Sequence, residues 1–353
     1  MPAASPGHPS GSGEVTERGG PRPDARRLAC PVVAASAKPS RPVRTDRIAL
    51  GLAALGRPAY INLGREDALP AGRGVTAMRE ATWRVLDTAY AAGIRWVDAA
   101  RSYGLAEEFL AGWLRAREIT DLTVSSKWGY AYVAGWRIDA RVHEVKEHSL
   151  TRFRQQWAET RRLLGDHIAV YQVHSLTVDS PLFTDRALLD ALAELVHSGV
   201  RVGFSTSGPA QRDAVARALD VSVAGQPVFT AVQSTWNPLE PSAGPALTQA
   251  HRAGATVLVK EALANGRLAV RPPAAVQEIA ARHGVGPDAV ALAAALAQPW
   301  ADVVLSGAAS PDQLARNLVA RSVELTDHDL ARLSELAEPP GEYWRRRAEL
   351  KWT

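Results

Sequence analysis

Four side chains that can pass or hold a proton stand at the ends of apolar runs. Ile94-Arg95-Trp96-Val97 ends at Asp98, and Tyr103 follows just before Gly104. Leu122-Thr123-Val124-Ser125-Ser126 runs into Lys127, and Ile168-Ala169-Val170-Tyr171-Gln172-Val173 runs into His174. A parallel strand that ends in a polar residue and hands over to a helix puts that residue at the carboxyl edge of the sheet, where α/β proteins bind ligands. Taken singly, each residue has a plainer role, the Asp as a helix cap and the Tyr as a core ring with a wet hydroxyl. Taken together they make a general-acid set. An ammonium beside a phenol stabilises phenolate and lowers its pKa, a carboxylate keeps the ammonium charged and in place, and an imidazole positions a carbonyl oxygen. With a hydride donor present, such a set reduces a carbonyl.

The elements that must position these residues are visible in the periodicity. From Arg47 onward, short apolar runs alternate with segments of helical spacing. The runs begin at Ile48-Ala49-Leu50-Gly51-Leu52, continue through the Asp98, Lys127 and His174 segments, and recur at 200–205, 229–233, 255–259 and 301–305. Helical spacing is expected at 76–92, 105–114, 142–164, 188–196, 210–219, 245–253, 273–283, 287–296 and 311–319. Eight strand–helix units across residues 46–338 predict an α/β fold, a single-domain (β/α)8 TIM barrel. A doubly wound open sheet would want a glycine-rich phosphate loop after an early strand, and Gly51-Leu52-Ala53-Ala54-Leu55-Gly56 is not one.

The segment Asp98-Ala99-Ala100-Arg101-Ser102-Tyr103-Gly104 resembles the Asp-x-Ala-x-x-Tyr-Gly segment of the aldo-keto reductases. The resemblance continues through Lys127 and Tyr171-Gln172-Val173-His174 and covers roughly residues 47–320. It implies the same barrel and a nicotinamide cofactor, NADPH with NADH possible. It also implies the cofactor contacts. Ser205 and Thr206 stand where the family has a Ser-Asn pair, Gln233 matches a carboxamide-binding glutamine, and Asn237 lies in the similar run Gln233-Ser234-Thr235-Trp236-Asn237-Pro238-Leu239. Ser306, Gly307, Gln313, Arg316 and Asn317 fall in the loop and helix start that hold the adenosine end, where a helix N-terminus suits phosphate. Lys260 replaces the aromatic ring that many relatives stack on the nicotinamide, and Gln313 stands where many have an arginine, leaving Arg316 as the nearest cation for a 2′-phosphate. Plainer alternatives remain open. Gln233 and Asn237 can satisfy loop backbone, Lys260 can pair with Glu261, and Gly307 with Pro311 can simply start a helix.

The substrate side is expected in the loops after the strands. Trp128, Tyr130 and Trp136 crowd one such loop in a chain with 6% aromatic residues, and Trp236, Trp344 and Trp352 lie near other strand or chain ends. Residues 339–353 are read as a C-terminal loop covering the barrel mouth, with Arg345-Arg346-Arg347 as a solvated run. The alternative for the aromatics is a cluster packed on itself.

Composition bounds the rest. The formal net charge of +4 resides in residues 1–45, which hold seven Lys and Arg against three Asp and Glu and leave thirty-four of each sign beyond. The body is neutral and carries no footprint for nucleic acid. Residues 1–45 read as a disordered Pro/Gly/Ser/Arg-rich tail. Arg26-Arg27 before a short apolar stretch looks somewhat like an export signal, but Pro31 interrupts it. The single cysteine, Cys30, excludes a disulfide framework, and no membrane span or metal-ligand spacing is evident, so a cytoplasmic location is expected. The expected function is NAD(P)(H)-dependent reduction of an aldehyde or ketone. The rivals are an NAD(P)+-dependent sugar 1-dehydrogenase and a non-catalytic, cofactor-binding regulatory protein.

Overall fold

Eight parallel strands close into a barrel in the computed structural model, which describes residues 47–353. They are β1 Ile48–Gly51, β2 Trp96–Asp98, β3 Thr123–Trp128, β4 Ile168–Leu176, β5 Arg201–Thr206, β6 Ala231–Thr235, β7 Thr256–Lys260 and β8 Val303–Ser306. Each pairs with its sequence neighbours, and β1 closes the ring on β8 through Ile48↔Val304, Ala49↔Leu305 and Leu50↔Ser306. The expected (β/α)8 barrel is therefore the fold. The tail, with Cys30 and Arg26-Arg27, lies outside the described residues.

The period of two along each strand sorts the side chains into two environments. Ala49, Val170, Ala231, Leu258, Val303 and Leu305 form an apolar layer of their own, with Trp96 packed against it, and this fills the barrel interior. A second, larger core lies between barrel and helices, built from alternate strand residues such as Leu50, Val97, Val124, Tyr171, Val173, Phe204, Val232 and Val259. Burying such side chains stabilises by roughly 1.5–3 kcal/mol each. The two cores hold every strand from both faces, so the polar residue at each strand end is carried on a rigid support.

Most helices fall where the periodicity places them, at Val75–Ala91, Ala106–Ala116, Arg186–His197, Gln211–Leu219, Gly244–Arg252, Ala274–His283, Pro287–Leu296 and Pro311–Leu318. One expectation fails. The helix expected at 142–164 begins only at Leu150, capped by the Ser149 side chain, and the residues before it form a strand. Glu144–Lys146 pairs antiparallel with Tyr130–Tyr132, so the aromatic stretch after β3 is a hairpin. Val142 and Val145 are three apart, a spacing that fits a helix over so short a span, and the cross-strand partner decides for a strand. The C-terminal region is likewise not all loop, because Pro340–Ala348 is helical. No described helix is long and apolar enough to cross a membrane.

Candidate active site

The strand register sets the site. Asp98 pairs with Gly51 and Ser125, and Lys127 pairs with Gln172. Asp98, Lys127, Gln172, His174, Ser205, Gln233 and Lys260 continue the inward-facing series of their strands above the apolar layer. Tyr103 sits in the loop leaving β2, with its N–H bonded to Ala100 O. That loop is fixed against the loop after β1 by backbone contact. Gly104 has a left-handed φ of 62°, a Cβ on it would collide with Gly56 O, and Leu105 N donates to Gly56 O at 2.8 Å.

Lys127 Nζ pairs with Asp98 Oδ2, donates to Ala99 O at 3.0 Å and lies 3.3 Å from the Tyr103 hydroxyl. Asp98 Oδ1 accepts from Ser125 Oγ at 2.7 Å, Gln233 Nε2 at 3.0 Å and Gln172 Nε2 at 3.2 Å. The carboxylate is buried with a full set of donors, as a buried charge requires. His174 packs edge-on to Tyr103 at 5.5 Å, and its Nδ1 lies 3.2 Å from Ser102 Oγ. Its carbonyl accepts from His148 Nε2 at 2.8 Å, and His148 Nδ1 contacts Ser180 Oγ at the same distance. Ser175, next after His174, takes a left-handed φ of 54° and donates its N–H to Ser205 Oγ at 2.8 Å. Non-glycine residues in that region cost of order 1 kcal/mol.

Burial lowers the His174 imidazole well below the ordinary histidine value, with Lys127 and Arg57 adding to the effect, so the ring is neutral. Burial also drives the Tyr103 hydroxyl well above 10.0, reinforced by Asp98 and opposed by Arg57. The expectation that the ammonium would leave this phenol acidic is corrected here. Asp98 opposes ionisation and Arg57 favours it, but desolvation is the largest effect, so Tyr103 holds its proton. His148 is lowered to about 4, mainly by burial, and is neutral too.

A cavity of about 460 Å³ opens over this set and extends toward the start of the Pro311–Leu318 helix. Asp98, Tyr103, Tyr130, His174, Ser205, Gln233, Lys260, Gly307, Gln313, Arg316 and Asn317 all line it. Other expected residues do not. Trp128 follows inward-facing Lys127 and must face outward, where it packs on Phe153 at 5.1 Å. Trp136 donates to Arg73 O at 2.8 Å and packs on Phe109. Trp236 packs on Trp300, and Trp344 packs on Tyr343. Thr206 faces outward to Ser234 Oγ at 2.7 Å, and Ser306 accepts from Asn317 at 2.9 Å. Asn237 spends its amide on Glu261 O, the Tyr343 hydroxyl and the N–H groups of Leu239 and Glu240, which is the plainer role named for it above.

Three groups escaped the sequence reading. Arg57, 1% exposed, reaches Glu144 Oε1 at 2.7 Å, and both line the cavity. Arg347, expected in solvent, grips Glu261 with Nε 3.0 Å from each carboxylate oxygen. This pairing and Lys260 hold Glu261 at about 2 against the opposing effect of burial. Lys260 lies 3.7 Å from Glu261 and donates to Thr235 Oγ1 at 2.7 Å, while burial pulls its ammonium down to about 8. Trp352 stacks on His143 at 4.2 Å and closes the mouth beside Tyr60. Neither Arg57, in the loop after β1, nor Arg347, on the Pro340–Ala348 helix, is marked as buried by its local sequence, because its partner comes from a distant part of the chain.

Ser205 and Gln233 sit side by side in register. Ser205 Oγ accepts from Ser175 and keeps its O–H to donate, while Gln233 commits Nε2 to Asp98 and Gln172 and keeps Oε1 to accept. One donor beside one acceptor is the complement of a primary carboxamide, so the residues present fit a nicotinamide. Among the described residues no group of three or more His, Cys, Asp or Glu could hold a metal ion.

A parallel (β/α)8 barrel with a buried Asp–Lys–Tyr–His set at the carboxyl ends of its strands defines a class of barrel oxidoreductases. The chain belongs to the aldo/keto reductase family, whose model it matches over residues 48–338. It is similar to Aldo-keto reductase str7 of Strobilurus tenacellus, 27% identical over 299 residues that cover 75% of this chain and 83% of that protein. Its fold is similar to that of the holo form of aldo-keto reductase AKR11C1 from Bacillus halodurans, with a TM-score of 0.62 and 22% identity over 83% of this chain and 92% of that one.

Proposed function

We propose that this reductase-family chain converts a small aldehyde or ketone to its alcohol, with Tyr103 as the proton donor. When bound, a reduced nicotinamide would supply the hydride. Ser205 and Gln233 would hold its carboxamide, and Gly307, Gln313, Arg316 and Asn317 its adenosine end, with Arg316 the cation for a 2′-phosphate and NADPH therefore preferred. The observation that carries the reading is the orientation of hydrogen bonds at Tyr103. Lys127 donates to the phenol oxygen, which leaves the O–H hydrogen to point into the cavity. Burial keeps that proton in place at neutral pH, as an acid in the reductive direction requires. Neutral His174, with Nδ1 engaged by Ser102, has Nε2 left to hold the substrate oxygen. The proton then passes from Tyr103 to the developing alkoxide, and Lys127 stabilises the phenolate that remains.

Tyr60, Tyr130 and Trp352 set phenol hydroxyls and aromatic faces at the mouth, which favours a hydroxylated substrate and keeps a sugar 1-dehydrogenase as the second reading. Titration with NADPH and then NADH, followed by tryptophan quenching, tests cofactor binding. Loss of reduced-nicotinamide absorbance on adding an aromatic aldehyde tests turnover, and aldose oxidation tests the second reading. Binding without turnover in either direction would leave a cofactor-binding regulator.

A further inference from the structure

Arg57 is the charge beside Tyr103 to which the scheme above gives no part in the proton step. Its guanidinium carbon lies 4.9 Å from the centroid of the Tyr103 ring, 4.9 Å from that of Trp352 and 4.5 Å from that of Tyr60. Nε donates to Ala53 O and Nη1 to Ser102 O, both at 3.2 Å, so Arg57 is tied to the main chain of the residue just before Tyr103. The Arg57 loop is itself braced by buried Arg65, which donates to Ala54 O at 2.8 Å, Pro58 O at 3.0 Å and Arg57 O at 2.5 Å. Glu144, from the hairpin, supplies the partner carboxylate at 2.7 Å.

We propose that Arg57 is a positioning residue for the proton step, a second cation beside Lys127 that stabilises the Tyr103 phenolate, with Glu144 setting how much of its charge the phenol feels. The proposal rests on the reading of Tyr103 as proton donor. As hydride adds to the carbonyl carbon, the C=O π pair moves to oxygen, which takes the Tyr103 proton. Phenolate is left, and solvent returns the proton. A cation over the ring stabilises that product and the transition state leading to it. The other charged or titratable neighbours are already balanced. Asp98 is paired with Lys127, Glu261 with Arg347 and Lys260, His174 is neutral, and Tyr60 is held as a phenol by burial. The Arg57–Glu144 pair is thus the one that can be unbalanced from either end without touching the groups that hold substrate.

The test uses that symmetry in the full-length protein. Arg57→Met and Glu144→Gln break the same ion pair, so a purely structural role lowers kcat/KM for aldehyde reduction in both, and alike. An electrostatic role separates them. Arg57→Met is expected to lose about tenfold or more, Arg57→Lys to recover most of it, and Glu144→Gln to match or exceed the parent, while thermal unfolding midpoints fall in both single variants. Like losses in Arg57→Met and Glu144→Gln, or an Arg57→Met variant at parental rate, would overturn the proposal. A second readout does not need turnover. Carbon-13 NMR of labelled tyrosine, with Tyr103 assigned by its absence in Tyr103→Phe, is expected to show phenolate forming at lower pH in Glu144→Gln than in Arg57→Met. A common onset in both overturns the proposal, whereas absent turnover with separated onsets overturns only the reading of function.

Discussion

The two ends of the cavity are built to different standards. At the Tyr103 end, Asp98 is buried and receives bonds from Lys127, Ser125, Gln172 and Gln233, carried on three other strands. At the far end, Arg316 has a side chain 58% exposed and a single carboxylate, Asp288, at 3.4 Å. Gln313 is occupied with its own surroundings, accepting from Ala309 N at 2.8 Å and donating to Gly64 O at 3.2 Å. The contrast says which property each end can vary. A group held by donors from three neighbouring strands cannot shift without disturbing the barrel, so the proposed proton chemistry is tied to the fold. A solvated arginine on a helix can change identity at little cost to stability, so the cofactor preference proposed for it is free to drift.

The sharpest way to break the contrast is Tyr103→Phe. It is expected to lower turnover by at least about 10²-fold while leaving NADPH affinity nearly unchanged, read by steady-state rates beside fluorescence titration. Loss of both together would mean that the two ends are not separable. Next in size, Lys127→Met leaves the Asp98 carboxylate buried without its ammonium and is expected to cost about 3–5 kcal/mol of stability in denaturant unfolding. Lys260→Met should act in the opposite direction. In the folded chain this ammonium releases its proton near pH 8 against 10.5 for an ordinary lysine. Between those values the unfolded chain binds more protons, so stability rises with pH across that window and the burial penalty is fully present below it. The variant should lose that rise and gain a few degrees in Tm at neutral pH. The smallest effect belongs to Arg316→Ala, which should reduce the preference for NADPH over NADH by no more than ~fivefold, and less in high salt. A loss comparable to that of Tyr103→Phe would show the far end to be as tightly specified as the near one.

The barrel and the gathering of Asp98, Tyr103, Lys127 and His174 at its mouth were legible because Asp98, Lys127 and His174 lie at the ends of apolar runs, Tyr103 follows Asp98 in the same loop, and strand order brings the runs together. The same period of two also held information the aromatic residues obscured. Lys127 facing inward requires Trp128 to face the helices, and Ser205 facing inward requires Thr206 to face Ser234. Reading loop aromatics as substrate contacts ignored that alternation, and of the hairpin's rings only Tyr130 reaches the cavity among those expected there. Arg57, Glu144 and Arg347 were illegible for another reason. They meet between segments far apart in sequence, Arg57 with Glu144 and Arg347 with Glu261, and no local pattern marks a residue whose partner arrives from a distant segment.

The interlocked Gly56 and Gly104 have a consequence for how this arrangement can change over generations. A side chain on Gly56 would strike Tyr103 O and Ala106, and one on Gly104 would strike Gly56 O and Arg57. The spacing between Tyr103 and its neighbouring cation Arg57 is therefore written in main chain touching main chain. Replacing one glycine demands a simultaneous retreat of the other loop, so the two positions are expected to be inherited as a unit. In a library of random substitutions, they should behave as a single intolerant locus despite lying in separate loops.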